Sequence, residues 1–100
     1  MQSSRDHRRL DRITDAVGNT PLVRLSKIGR DLPGEIWAKC EYLNPSGSVK
    51  DRMASYMLDK AAASGELKPG GTIVENTSGN TGAAMGLVAA VKGYRCVFSL

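Results

Sequence analysis

Aromatic side chains are scarce in this chain: one Phe, one Trp and three Tyr in 100 residues. So few rings leave little for base stacking, which counts against single-stranded nucleic-acid binding. Histidine is scarcer still, with His7 alone, and it is assigned no role. The two cysteines, Cys40 and Cys96, form no C-x-x-C pair and have no histidine beside them, so no metal-ligand spacing exists. Both sit in apolar runs, where they are expected to be buried, reduced thiols acting as small hydrophobes. No apolar run approaches the ~18 residues that cross a membrane. The start lacks a basic, apolar and small-residue leader pattern, so a cytoplasmic location and no membrane partner are expected. G-x-G-x-x-G and G-x-x-x-x-G-K-[ST] are both missing, which removes dinucleotide and P-loop chemistry.

Charge is present but uneven. The formal net charge is +4, and residues 1–12, MQSSRDHRRLDR, hold four Arg against two Asp. That stretch is read as a basic, mobile tail rather than a polyanion-binding arm. No basic helix face stands out in the remainder, so no nucleic-acid partner is expected. A hydrophobic content of 41% allows one domain with a modest core.

Turn-rich stretches Gly18-Asn19-Thr20-Pro21 and Asp31-Leu32-Pro33-Gly34 bracket a short strand over residues 22–25. Residues 35–42 read as a second strand with Ile36, Ala38 and Cys40 on one face. Asn44-Pro45-Ser46-Gly47 is a loop by composition. From Ser48 the period becomes helical: Met53, Ala54, Met57, Leu58, Ala61 and Ala62 recur on one side, with Asp51, Arg52, Ser55, Asp59 and Lys60 elsewhere. Ser48 and Asp51 have the form of a capping box, which places the helix start near Ser48. Gly65 is its stop. Residues 72–75 form a short strand, and residues 80 or 81 to 92 a nearly apolar helix, expected to be buried on most sides. Gly93 ends it before a strand over residues 94–100. This order predicts an α/β fold, a parallel βαβαβ sheet with right-handed crossovers.

Two loops lead into the helices, residues 44–48 and 77–81, and both are rich in Ser, Gly and Asn. Ligands in such sheets sit at strand carboxyl ends, where helix amino termini offer free N–H groups and partial positive charge. Thr77, Ser78 and Thr81 add hydroxyls, and Gly79 lets a ligand approach the backbone. A carboxylate or phosphate suits this description; ordinary helix capping suits it too. Lys50 stands in a predicted first turn, where the helix dipole disfavours a cation. An amine held there is a candidate nucleophile with a lowered pKa. The S-x-x-K arrangement fails because position 47 is Gly.

Taken together, NPSGSVKDR (44–52) and TSGNTG (77–82) resemble the two early signatures of the cysteine synthase and cystathionine β-synthase family, pyridoxal-phosphate enzymes of fold type II. GNTPLVRL (18–25), GELKPGGTIVE (65–75) and VKGYRC (91–96) resemble it as well. The resemblance implies that Lys50 carries pyridoxal 5'-phosphate covalently and moves the substrate's Cα proton. It implies that Asn80 hydrogen-bonds the cofactor's 3′-oxygen. Thr77, Ser78, Gly79 and Thr81 would grip the α-carboxylate of an amino-acid substrate. The implied reaction is β-replacement on L-serine or O-acetylserine by a thiol or sulfide, giving cystathionine or cysteine. Val49 stands where the related dehydratases carry Phe, which favours the synthase branch.

The sequence departs from the family pattern in places. Asn76 stands where many members have Pro. The tail has no Cys to join His7, so no haem is predicted. The family runs to about three times this length, in two domains, and is commonly homodimeric. Residues 13–100 are therefore expected to be the amino-terminal part of the fold, without the later glycine-rich phosphate loop. Alone, they are expected to bind the cofactor poorly, to be inactive, and to expose an unpartnered apolar face over residues 20–42. The alternative is a non-catalytic fragment acting as an interaction or structural piece.

Overall fold

The computed structural model describes residues 9–100. The first eight positions of the basic tail, His7 among them, lie outside the described residues. At the end of that tail, Arg12 lies 3.7 Å from Asp15 in a 3-10 turn, Ile13–Ala16.

Gly18 (φ 86°) and Asn19 (φ 49°) are consecutive left-handed residues, a conformation that glycine and asparagine tolerate best. They turn the chain into β1 (Leu22–Arg24), which pairs antiparallel with β2 (Trp37–Lys39), Leu22 opposite Lys39. The alternation read for β2 is present. Ile36 and Ala38 are half-buried and Cys40 buried, while Trp37 and Lys39 face out. The strand stops at Lys39 rather than Tyr42, because Glu41–Leu43 forms a 3-10 turn. There the Asn44 amide donates to the Glu41 carbonyl at 2.8 Å, a local bond that competes with the strand ladder.

The second half is built from α1 (Lys50–Ser64), β3 (Thr72–Asn76), α2 (Asn80–Lys92) and β4 (Arg95–Ser99). Gly65 and Gly93 close the two helices with φ of 86° and 82°, the left-handed stop read from the sequence. β3 and β4 are parallel, Ile73 opposite Cys96 and Val74 opposite Val97.

The α/β class therefore holds, but the single parallel βαβαβ sheet does not. Among the described residues there are two two-stranded sheets, and only β3–α2–β4 is a parallel unit. The turn-rich link between β1 and β2 lets the chain double back, so β2 finds its partner in β1.

The core lies between the helices. Ala54 and Leu58 of α1 meet Ala84, Met85 and Val88 of α2, with Met53, Leu67, Ile73 and Leu87 around them. α2 is fully buried along the stripe Ala84, Met85, Val88 and Ala89 and half-buried over most of the rest, with Asn80, Ala83 and Ala90 exposed. The Lys92 ammonium, 2.6 Å from Asp59, ties the carboxyl-terminal halves of the helices together. Cys40 and Cys96 are both free thiols; Cys40 is buried but Cys96 only half so. The other face of the β3–β4 sheet is open, with Val74 71% and Val97 55% exposed.

Candidate active site

Both loops singled out by composition lead into helix amino termini, and each is held by a different device. α1 begins at Lys50, two residues later than the capping-box reading placed it, and has no side-chain cap. The box itself does not form: the Ser48 hydroxyl accepts the N–H of Lys50, at 3.2 Å, rather than that of Asp51. Asp51 reaches back to Ser46, accepting its N–H at 2.7 Å and its hydroxyl. Asp51 is fully buried, although its spacing had placed it off the core face. A buried carboxylate needs such donors, and the adjoining helix terminus favours its charge.

A second polar cluster, which shares Asn44 with this loop, was not revealed by spacing. The Glu41 carboxylate accepts from Arg52 Nε at 2.6 Å and Nη2 at 3.2 Å. It also accepts from the Asn44 amide at 3.2 Å and from the Thr20 hydroxyl. These donors fill the roughly four lone-pair sites of a carboxylate. Arg52 first, then Thr20 and Asn44, lower the Glu41 pKa from 4.5 to about 2. Glu41 in turn raises that of Arg52. Asn44, itself buried, accepts the Gly18 N–H at 2.7 Å. The cluster thus joins the loop before β1, the turn after β2 and the first turn of α1. The only sequence signal would have been polar residues flanking short strands, which is common on surfaces.

Lys50 is exposed, and among the described residues its ammonium enters no hydrogen bond or ion pair. An amine free of a carboxylate partner remains available to a ligand. Thr77, Ser78, Gly79, Asn80 and Thr81 run from the end of β3 through the first residues of α2. Thr77 N–H bonds the Ser99 carbonyl at 2.9 Å, which fastens the loop to β4. Thr77 Oγ1 accepts the N–H groups of Gly79 at 3.3 Å and Gly82 at 3.2 Å. Its hydroxyl thus serves the helix end while keeping a proton to donate. A Cβ at Gly82 would stand 2.8 Å from Thr77 Cγ2, so any larger residue there must move the Thr77 side chain. The first N–H groups of α2 have no intrahelical acceptors. Beside them opens a depression of about 300 Å³ lined by Thr77, Ser78, Gly79, Gly82, Ala83 and Phe98, among others.

The five residues of the second loop are thus brought together, whereas no hydrogen bond joins Lys50 to them among the described residues. Among the described residues, no group of three or more His, Cys, Asp or Glu is placed to hold a metal ion, and no helix is long and apolar enough to cross a membrane.

Comparison with known proteins meets this geometry from another side. A cysteine synthase of Staphylococcus aureus is 50% identical over 91 residues, covering 91% of this chain and 29% of that protein. A cystathionine beta-synthase of Mus musculus is 55% identical over 83 residues, 81% of this chain and 15% of the relative. That of Dictyostelium discoideum is 50% identical over 91 residues, 91% of this chain and 18% of the relative. The chain thus spans less than a third of the curated relatives it matches. The family profile described as pyridoxal-phosphate dependent enzyme matches residues 13–100, and the chain belongs to that family.

Proposed function

We propose that this chain carries the lysine and the carboxylate-binding loop of a pyridoxal-phosphate-dependent β-replacement enzyme. Its substrate would be a serine-type amino acid, L-serine or O-acetylserine, and its second reactant a thiol or sulfide. The observation that carries the proposal is the pairing of two helix starts: an unpaired, exposed Lys50 opens α1, and a small-residue hydroxyl loop opens α2. The Lys92–Asp59 pair joins the carboxyl-terminal halves of the helices, which leaves both amino termini toward the other end of the pair. Relatives named cysteine synthase and cystathionine beta-synthase, at about half identity, weigh against a non-catalytic piece.

The residues fit the cofactor by their donor chemistry. Lys50 supplies an amine for covalent attachment, and Asn80 an amide to orient the cofactor's ring oxygen. When bound, pyridoxal phosphate supplies an electron sink for charge developing at the substrate Cα. Lys50 takes the Cα proton as general base and returns it later in the cycle. Thr77, Ser78, Gly79 and Thr81 hold the α-carboxylate with hydroxyls and N–H groups at the start of α2, where a negative charge is favoured. Holding that end fixes which Cα bond faces Lys50.

Borohydride reduction of the natively purified protein, followed by peptide mapping, tests the assignment. A pyridoxyl group on Lys50 is the expected result; a label on another lysine, or none, refutes it. Lys50→Ala should lower turnover by about 10²–10⁴-fold, the usual worth of a positioned proton-transfer group.

A further inference from the structure

The Lys50 ammonium enters no hydrogen bond or ion pair among the described residues, so what the protein fixes is the backbone from which its flexible side chain starts. That backbone belongs to a helix start held by one long side-chain bond, the Lys50 N–H to the Ser48 hydroxyl at 3.2 Å, and such a start frays unless more pins it. Two anchors follow Lys50 in the first turn. Asp51, the next residue, grips Ser46 of the preceding loop. Arg52, the one after, is forked onto Glu41 through Nε and Nη2 and donates to Thr20 at 3.2 Å.

The second anchor reaches far. Thr20 and Glu41 lie 32 and 11 positions from Arg52, and both belong to the hairpin side of the molecule. The left-handed pair Gly18–Asn19 turns that loop down on the cluster. A Cβ on Gly18 would stand 3.0 Å from Arg52 Nη1, so loop and guanidinium are in close contact. Backbone held in a sparsely populated conformation persists only where its surroundings determine it.

We propose that Glu41, Arg52, Thr20 and Asn44 are positioning residues for Lys50, a clamp by which the β1–β2 hairpin sets the first turn of α1. The proposal rests on the reading of Lys50 as the cofactor-bearing lysine. It adds that the hairpin, which contributes no group to the chemistry, controls how that lysine is aimed. A bidentate guanidinium–carboxylate pair suits the task because it fixes direction as well as distance. Misplacement of about 1 Å in a reacting group costs on the order of 10²-fold in rate.

The test compares the natively expressed holoprotein with Glu41→Gln, Arg52→Lys and Asp59→Asn. Glu41→Gln keeps the shape of the carboxylate but loses its charge. Arg52→Lys keeps the charge but loses the fork. Asp59→Asn removes an ion pair of the same length from the far part of α1 and serves as the control for mere stability. The readouts are the pH midpoint of the visible band of bound pyridoxal phosphate, and the rate of its change on mixing with L-serine. Glu41→Gln and Arg52→Lys should shift the midpoint and slow the change by about tenfold or more, as a misplaced reacting group does. Asp59→Asn should alter neither. Wild-type midpoints and rates in Arg52→Lys and in Glu41→Gln overturn the clamp while leaving the cofactor assignment intact. A parent protein with no visible band and no borohydride label on Lys50 overturns both. If Glu41→Gln does not fold, Arg52→Lys alone decides between these outcomes.

Discussion

Gly82 shows how a single residue can answer to two opposed preferences. In an isolated helix Gly→Ala is favourable by about 1 kcal/mol. Here the added methyl would stand 2.8 Å from Thr77 Cγ2 and drive Thr77 off the two N–H groups it caps. Overpacking costs about 1–3 kcal/mol and a lost cap about 1, so the clash wins. Gly82→Ala should lower stability by about 1–3 kcal/mol in denaturant unfolding; a stabilised variant would show that Thr77 is not the cap. Glu41 carries a pH dependence whose sign follows from its neighbours, Arg52 above all, then Thr20 and Asn44. Its folded pKa is about 2, against 4.5 for the free side chain. The unfolded chain therefore takes up a proton that the folded one does not between about pH 4.5 and 2. The contribution of Glu41 is complete above that window and is lost as the pH falls through it. Urea midpoints should fall from pH 6 to pH 3 more steeply in the parent protein than in Glu41→Gln. Parallel profiles would mean that the carboxylate is not held as described.

At the scale of elements, the start of α1 depends on Asp51 more than on any cap. Asp51 is fully buried and serves Ser46 twice. Asp51→Ala leaves the Ser46 N–H and hydroxyl without their acceptor, at about 1–3 kcal/mol. Amide hydrogen exchange should show the first turn of α1 and the loop before it opening faster, with α2 protected as before. Equal exchange at both helix starts would argue that α1 is held elsewhere. The helix period was legible in residues such as Ala54 and Leu58, which the structure buries. Asp51 was misjudged by the same rule, since periodicity treats a charged residue as solvent-facing. It cannot register a loop that brings its own donors to that residue. The glycine stops at 65 and 93 were legible because only their backbone conformation was at issue.

Across the whole molecule, the radius of gyration is 16.8 Å, where a compact chain of this length has about 13 Å. The two sheets do not join into one, and the core cluster is formed by α1, α2 and the β3 side of the molecule. Parallel sheets are ordinarily covered on both faces, yet Val74 and Val97, directly paired, are 71% and 55% exposed. On the hairpin, Leu22 is 57% and Trp37 47% exposed, on a face shared with Arg24 and Lys39, whereas Ile36, Ala38 and Cys40, on the face read as apolar, are half-buried to buried. Residues 1–100 in isolation should therefore self-associate. Sedimentation velocity should show concentration-dependent species that diminish in Val74→Lys/Val97→Lys; a single monomer at all concentrations would contradict this.

The sequence by itself determined what depends on neighbours in the chain. The helix stops, the face of β2 that carries Cys40, the core stripe of α1 and the small-residue loop at 77–81 all follow from local rules. Backbone conformation, side-chain period and free helix-end donors act over a few residues. Family membership was legible for a related reason, since the residues of both loops stand together in short, ordered stretches. Tertiary structure alone decided that β2 pairs with β1, that Asp51 is buried, and that Thr20, Glu41, Asn44 and Arg52 meet. Strand partners and a four-residue polar cluster are chosen by closure of distant segments. That choice turns on which pairing satisfies the most buried polar groups and covers the most apolar surface, and such totals have no local period to read.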